Sequence, residues 1–172
     1  MAADTTNIKI GACTVKLGGT DLGHTKGGVT VVYSPEFADI TADQYGNTPV
    51  DKALLGEEVR VKVPLSESQV ANIGKAIPLG TLAGAASGRL TVGSNAGARL
   101  LSDAAQLVLH PIANAADDLS EDVVIHKAVV DSEVEISFNN EDQRIIEVEF
   151  IALIDTTKAN GNWLGFIGDS TD

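Results

Sequence analysis

Four glutamates are the residues whose type and spacing come nearest to an active site. Glu133 and Glu135 alternate with Val134, Ile136 and Phe138, and Glu147 and Glu149 alternate with Val148 and Phe150. Alternation of period two puts each pair on one face of a strand. Asn139-Asn140-Glu141-Asp142 between them has turn chemistry, so residues 133–138 and 144–154 are expected to form a hairpin with all four carboxylates on one face. Two of them, such as Glu135 and Glu147, would supply the acid and the nucleophile or base of a glycosidase. Against that chemistry stands an aromatic content of 4%, with one Trp, two Tyr and four Phe, too few for the ring faces on which a sugar groove stacks its ligand. Like charges across a hairpin destabilise it, so such a face is either tolerated for solubility or present for its field.

No other constellation points to catalysis. His24, His110 and His126 are far apart, with no His-x-His and no second ligand at helical spacing, so no metal site is expected. Cys13, the single cysteine, falls at an inward strand phase and reads as a small hydrophobe rather than a nucleophile. It also excludes an internal disulfide framework and fits assembly in a reducing cytoplasm. No Gly-x-Ser-x-Gly occurs, and the Gly- and Ala-rich stretch 80–97 lacks the Gly-Lys-Ser/Thr of a phosphate loop. Neither enzymatic activity nor a cofactor is expected.

The elements that must position these residues are mostly strands. Cys13-Thr14-Val15-Lys16-Leu17 alternates and meets the two-residue turn Gly18-Gly19, leading into residues 20–24. Lys26-Gly27-Gly28 breaks the chain before a strand at 29–33. Residues 57–63 read as the cleanest strand, with Val59, Val61 and Val63 inward and Pro64 as its stop. Further strands are expected at 89–92, 105–110 and 123–130. One helix is expected after Ser66-Glu67-Ser68-Gln69, a capping-box pattern. Its apolar stripe is Val70, Ile73 and Ile77, and Pro78 and Gly80 end it. The fold class is therefore mainly β: two packed antiparallel sheets, as a sandwich or tube-type barrel, with one flanking helix, in a single domain over residues 1–172. Residues 40–56 have no clean period. A loop of that length is usually functional or disordered, and Tyr45, Val50, Leu54 and Leu55 make this one apolar enough either to meet a partner or to fold back over its own core.

Charge narrows the function. The chain of 172 residues carries 24 acids and 12 bases, a formal net charge of −12, and 11 of the acids lie in residues 116–150. Binding to nucleic-acid phosphates needs clustered Lys and Arg, so no such binding is expected. No apolar run reaches the ~18–20 residues of a membrane helix, and the first residues show no signal-peptide pattern.

Three ordered stretches resemble bacteriophage tail tube proteins. They are Lys16-Leu17-Gly18-Gly19-Thr20-Asp21-Leu22-Gly23-His24-Thr25-Lys26-Gly27-Gly28-Val29, then Thr41-Ala42-Asp43-Gln44-Tyr45-Gly46-Asn47-Thr48-Pro49-Val50-Asp51 with Leu55-Gly56-Glu57, and finally Gly161-Asn162-Trp163-Leu164-Gly165-Phe166-Ile167-Gly168-Asp169. The resemblance implies a structural virion protein that forms stacked homo-oligomeric rings, usually hexameric, around a conduit for DNA ejection. Double-stranded DNA would pass through without specific binding. It implies a subunit interface at Gln44, Tyr45, Gly46, Pro49, Val50, Asp51, Leu54 and Leu55, in a long inter-subunit loop at 40–56. Glu133, Glu135, Glu147 and Glu149 are then candidate lumen acids, which repel the phosphate backbone. Implied partners are further copies of the chain, tape measure, tail terminator and baseplate proteins, and a sheath if the tail is contractile, with no membrane. The implied location is the virion tail, assembled in the host cytoplasm. Alternatives are the tube subunit of a contractile injection particle and a β-sandwich carbohydrate-binding module.

Overall fold

The computed structural model describes residues 8–84, 88–136, 138 and 140–169. Within them the chain forms β1 (Cys13–Leu17), β2 (Thr20–Asp21), β3 (Thr30–Thr41), β4 (Pro49–Leu65), α1 (Val70–Ala76), β5 (Thr81–Ala83), β6 (Arg89–Thr91), β7 (Ala105–Pro111), β8 (Val123–Val130), β9 (Ile146–Ala152) and β10 (Gly165–Ile167). Eight strands make one antiparallel sheet, ordered β2-β1-β7-β8-β9-β4-β3, with β10 also paired to β8. The short strands β5 and β6 make a second sheet.

The large sheet curves onto itself. Its path begins at β2 and ends at β3, which are nearly consecutive in sequence. The chain between them is tied to the end of β4: the Lys26 N–H donates to the Pro64 carbonyl at 3.0 Å, and the Ser66 N–H to that of His24 at 2.9 Å. Curvature lets the inward residues of β1 and β7 (Val15, Leu17, Leu107, Leu109) share one core with those of β4 and β9 (Val61, Val63, Leu65, Ile146, Val148, Phe150). Gly23 lies in the connection with φ +85, and a Cβ there would stand 2.6 Å from the Glu67 carboxyl carbon. The Glu67 carboxylate accepts the His24 N–H at 3.0 Å, so glycine and glutamate together hold the turn that returns β2 toward β4. Strand β8 is buried along most of its length, on both faces, as its nearly unbroken apolar run requires.

Two local expectations fail for stated reasons. The capping box does not form: Gln69 is the N-cap without a side-chain hydrogen bond, because Ser66 Oγ donates to the His24 carbonyl at 2.9 Å instead. Helix α1 is consequently short, with Ala76 and Ile73 against the core. Pro64 does not stop β4 either. It pairs opposite Glu147 inside the ladder, and its carbonyl still accepts the Lys26 N–H.

The expected hairpin of residues 133–138 and 144–154 is absent. Glu133, Val134, Glu135 and Ile136 are in no strand, while Ser137 and Asn139 lie outside the described residues. Strand β9 pairs instead with β8 and β4. That arrangement seals Ile146, Val148 and Phe150 against Val61, Val63 and Leu65, and it sets Glu149 opposite Lys62 rather than opposite another carboxylate.

Candidate functional site

Residues 40–56 are not a loop. They are the tip and second strand of a β3–β4 hairpin whose ladder runs from Thr30↔Lys62 to Thr41↔Pro49. Only its base is integrated into the sheet, since β9 pairs with β4 from Arg60 to Leu65. Beyond that, residues 36–56 project as a two-stranded arm with no buried residue. A two-stranded ribbon of this kind has no core of its own, and here cross-strand contacts hold it: Phe37 opposite Leu54, Ala38 opposite Ala53, and Asp39 opposite Lys52, the last pair joined at 3.0 Å.

The register shifts twice, and each shift has the same consequence. Glu36 pairs with Gly56 and Phe37 with Leu54, leaving Leu55 without a partner. Ile40 pairs with Asp51 and Thr41 with Pro49, leaving Val50 without one. A bulge bends its strand and re-aims the extra side chain. Leu55 and Val50 are 63% and 52% exposed. At the tip, a single 3-10 turn over Asp43–Tyr45 ends on Gly46 with φ 62. It presents Tyr45 at 67% exposure. Gln44, Gly46, Pro49, Asp51 and Leu54, for which the resemblance implies an interface, are all exposed on the same arm.

The four glutamates are distributed differently from expectation. Glu133, Glu147 and Glu149 come together around a groove of about 430 Å³, but Lys26 and Lys62 line it with them; Glu135 does not. Glu149 is the most tied: Arg60 donates to its carboxylate at 3.0 Å and Lys62 lies at 3.5 Å. The Arg60 hydrogen bond holds the Glu149 carboxyl below its usual range, with Lys62 assisting against partial desolvation. Arg60 also binds Glu58 at 2.5 Å and Asp131 at 3.3 Å, and these carboxylates raise its own pKa. One guanidinium thus gathers three acids, and the face is a mixed ionic lattice with a net negative excess.

Other polar groups have structural partners. His110 Nδ1 lies 2.6 Å from Asp122, and His126 Nε2 lies 3.0 Å from Asn162 Oδ1. Lys127 donates to Asp155, which also accepts from Thr157. Together they pull the Asp155 carboxyl down to about 2. Burial raises the Cys13 thiol, a direction opposite to that of an activated nucleophile. Among the described residues no group of three or more His, Cys, Asp and Glu could hold a metal ion, and no helix is long and apolar enough to cross a membrane.

An apolar cleft of about 500 Å³ beside the arm has no counterpart among the sequence-based expectations. The arm's base, including Tyr33, Leu54 and Leu55, forms one wall, and Ile154, Trp163, Phe166 and Ile167 form the other. The available signal was the apolar content of the 161–169 motif, whose side chains have no helical or strand period to place them.

The chain matches no protein-family model, and the curated proteins searched contain no match to it.

Proposed function

We propose that this protein is a structural subunit that polymerises into a tube: the tail tube protein of a tailed bacteriophage, stacked as hexameric rings around a conduit for DNA, in a virion tail assembled in the host cytoplasm. The observation that carries the proposal is the arm. A ribbon of residues 36–56 with apolar side chains exposed at its tip and bulges is a liability in a free monomer, and the same ribbon is an efficient link between identical subunits. A tip that meets a different surface on the next copy makes a head-to-tail contact. Such contacts close into rings about one axis and repeat openly along it.

The motif likeness to tail tube proteins supplies the DNA-conduit part of the proposal. The charge pattern supports it: a formal net charge of −12 leaves few free cations to release counterions from a duplex, so DNA slides rather than binds. Exposed Glu133, Glu135 and Glu147 are the acids we assign to the lumen. Glu149 sits at the same groove as a structural anion held by Arg60 and Lys62.

Negative-stain microscopy of the purified chain over a range of concentrations tests the proposal. Rings or hollow tubes are the expected result, with no gel shift of duplex DNA at 0.1 M salt. A monodisperse monomer at every salt and protein concentration would overturn it.

A further inference from the structure

The apolar cleft lies where the edges of β4 and β10 part. Strands β9 and β10 lie on the same edge of β8, β9 against Ala128–Val130 and β10 against Val123–Ile125. On their far side β4 follows β9 only from Leu65 to Arg60. There β4 turns away into the arm, while β10 goes on along β8 with no other named partner among the described residues. Leu54, Leu55, Gly56, Glu57 and Val59 of β4 thus line one wall of the cleft, and Gly165–Ile167 of β10, with Trp163 and Ile154, the other. Two walls of extended chain with free ladder edges and apolar side chains accept a single extended segment. The two-stranded arm, charged by Asp39, Asp51 and Lys52, is too wide and too polar for it.

One segment of the chain matches in chemistry. Residues 8–12, before β1, alternate as Ile8-Lys9-Ile10, and Ile8 and Ile10 are 75% and 96% exposed. The segment is fixed at its base, where the Ala12 carbonyl accepts the Ile112 N–H at 2.9 Å, and Lys9 pairs with Glu121. None of residues 8–12 lines the cleft of its own subunit. We infer that residues 8–12 of one copy enter the cleft between the arm and β10 of a second copy as an added strand. Ile8 and Ile10 then bury against Leu54, Trp163 and Ile167. Charge complementarity agrees: on docking, Lys9, the segment's only charge, exchanges Glu121 of its own copy for Glu57, the only charged residue among the described residues that line the cleft, whose carboxylate also accepts the Tyr33 hydroxyl. The inference rests on the reading above only in that the partner is another copy of this chain; it adds a second contact, independent of the arm tip.

The test uses Trp163, the only tryptophan, as reporter. The full chain carrying Ile8→Asp and Ile10→Asp is titrated with a synthetic peptide of residues 8–12, capped at both ends. A saturable blue shift of Trp163 emission is expected, weakened at least tenfold by Ile167→Asp in the protein or by both Asp changes in the peptide. A cross-link between a chain with Ile10→Cys and a differently tagged chain with Ile167→Cys, both carrying Cys13→Ser, is the second expected result. Peptide binding without any polymer would sink the tube reading and leave this inference standing. Tubes that form at the unmodified chain's concentration from the Ile8→Asp/Ile10→Asp variant, with Trp163 unmoved by the peptide, would overturn it. A Trp163 response to a peptide of residues 43–51 instead would give the cleft to the arm tip and overturn it equally.

Discussion

Replacing Tyr45 by Ala and Val50 by Asp separates folding from assembly. Tyr45 is 67% exposed and Val50 52%. An aromatic side chain buries roughly 200 Å² when enclosed, so the exposed two-thirds of Tyr45 offers a partner roughly 130 Å², about 3 kcal/mol at 25 cal/mol per Å². The exposed half of Val50 offers on the order of 1 kcal/mol more, and the new carboxylate adds a desolvation cost at any apolar contact. Only part of this sum survives as association free energy. A loss of about 2 to 4 kcal/mol raises the critical concentration for polymerisation by roughly 30- to 1000-fold, at about 1.4 kcal/mol per decade. The cost to the isolated fold is confined to the surface already covered, about 3 kcal/mol as an upper bound, which a domain of ordinary stability survives. Sedimentation velocity against concentration reads the first effect, and thermal unfolding by circular dichroism the second. A variant that unfolds outright places Tyr45 and Val50 in the fold's own stability. One that polymerises at the unmodified concentration places them outside the interface. Either outcome refutes the reasoning.

Three further outcomes are expected. Gly165→Ala would put a Cβ 2.2 Å from the Val124 carbonyl oxygen; the strand must shift, at a cost of about 1–3 kcal/mol, seen as a lower Tm and altered Trp163 emission. Glu147→Gln should leave denaturant stability nearly unchanged, whereas Glu149→Gln should lower it, because only Glu149 is held by Arg60 and Lys62; equal effects would contradict the ionic lattice. The Asp155 carboxyl, depressed to about 2, contributes stability that is present above the unfolded value of about 3.9 and is lost as pH falls toward 2. Since the Asp155 N–H donates to the Trp163 carbonyl at 2.9 Å, Trp163 emission should change in that window, and Lys127→Met should move the change to higher pH.

The local pattern of residues was sufficient for β1 and β8, for the valine-rich centre of β4, and for a helix near Val70. Each is written in a period of two, an apolar run or a period of 3.6 that the backbone itself imposes. Mainly antiparallel architecture followed, because two-residue turns such as Gly18-Gly19 admit nothing else. What the pattern does not contain is the identity of a strand's neighbour. Glu147 and Glu149 had the same phase whether β9 paired with residues 133–138 or with β4. Only the tertiary structure chose β4, because Val61, Val63 and Leu65 close the core over Ile146, Val148 and Phe150, and that choice gave Glu149 two cations. The arm was illegible for a related reason. Two bulges take Val50 and Leu55 out of the ladder, which erases the alternation by which a strand is recognised. The cleft beside β10 exists solely because β4 parts from β9 at Arg60, a divergence between segments about a hundred residues apart that no local period can encode.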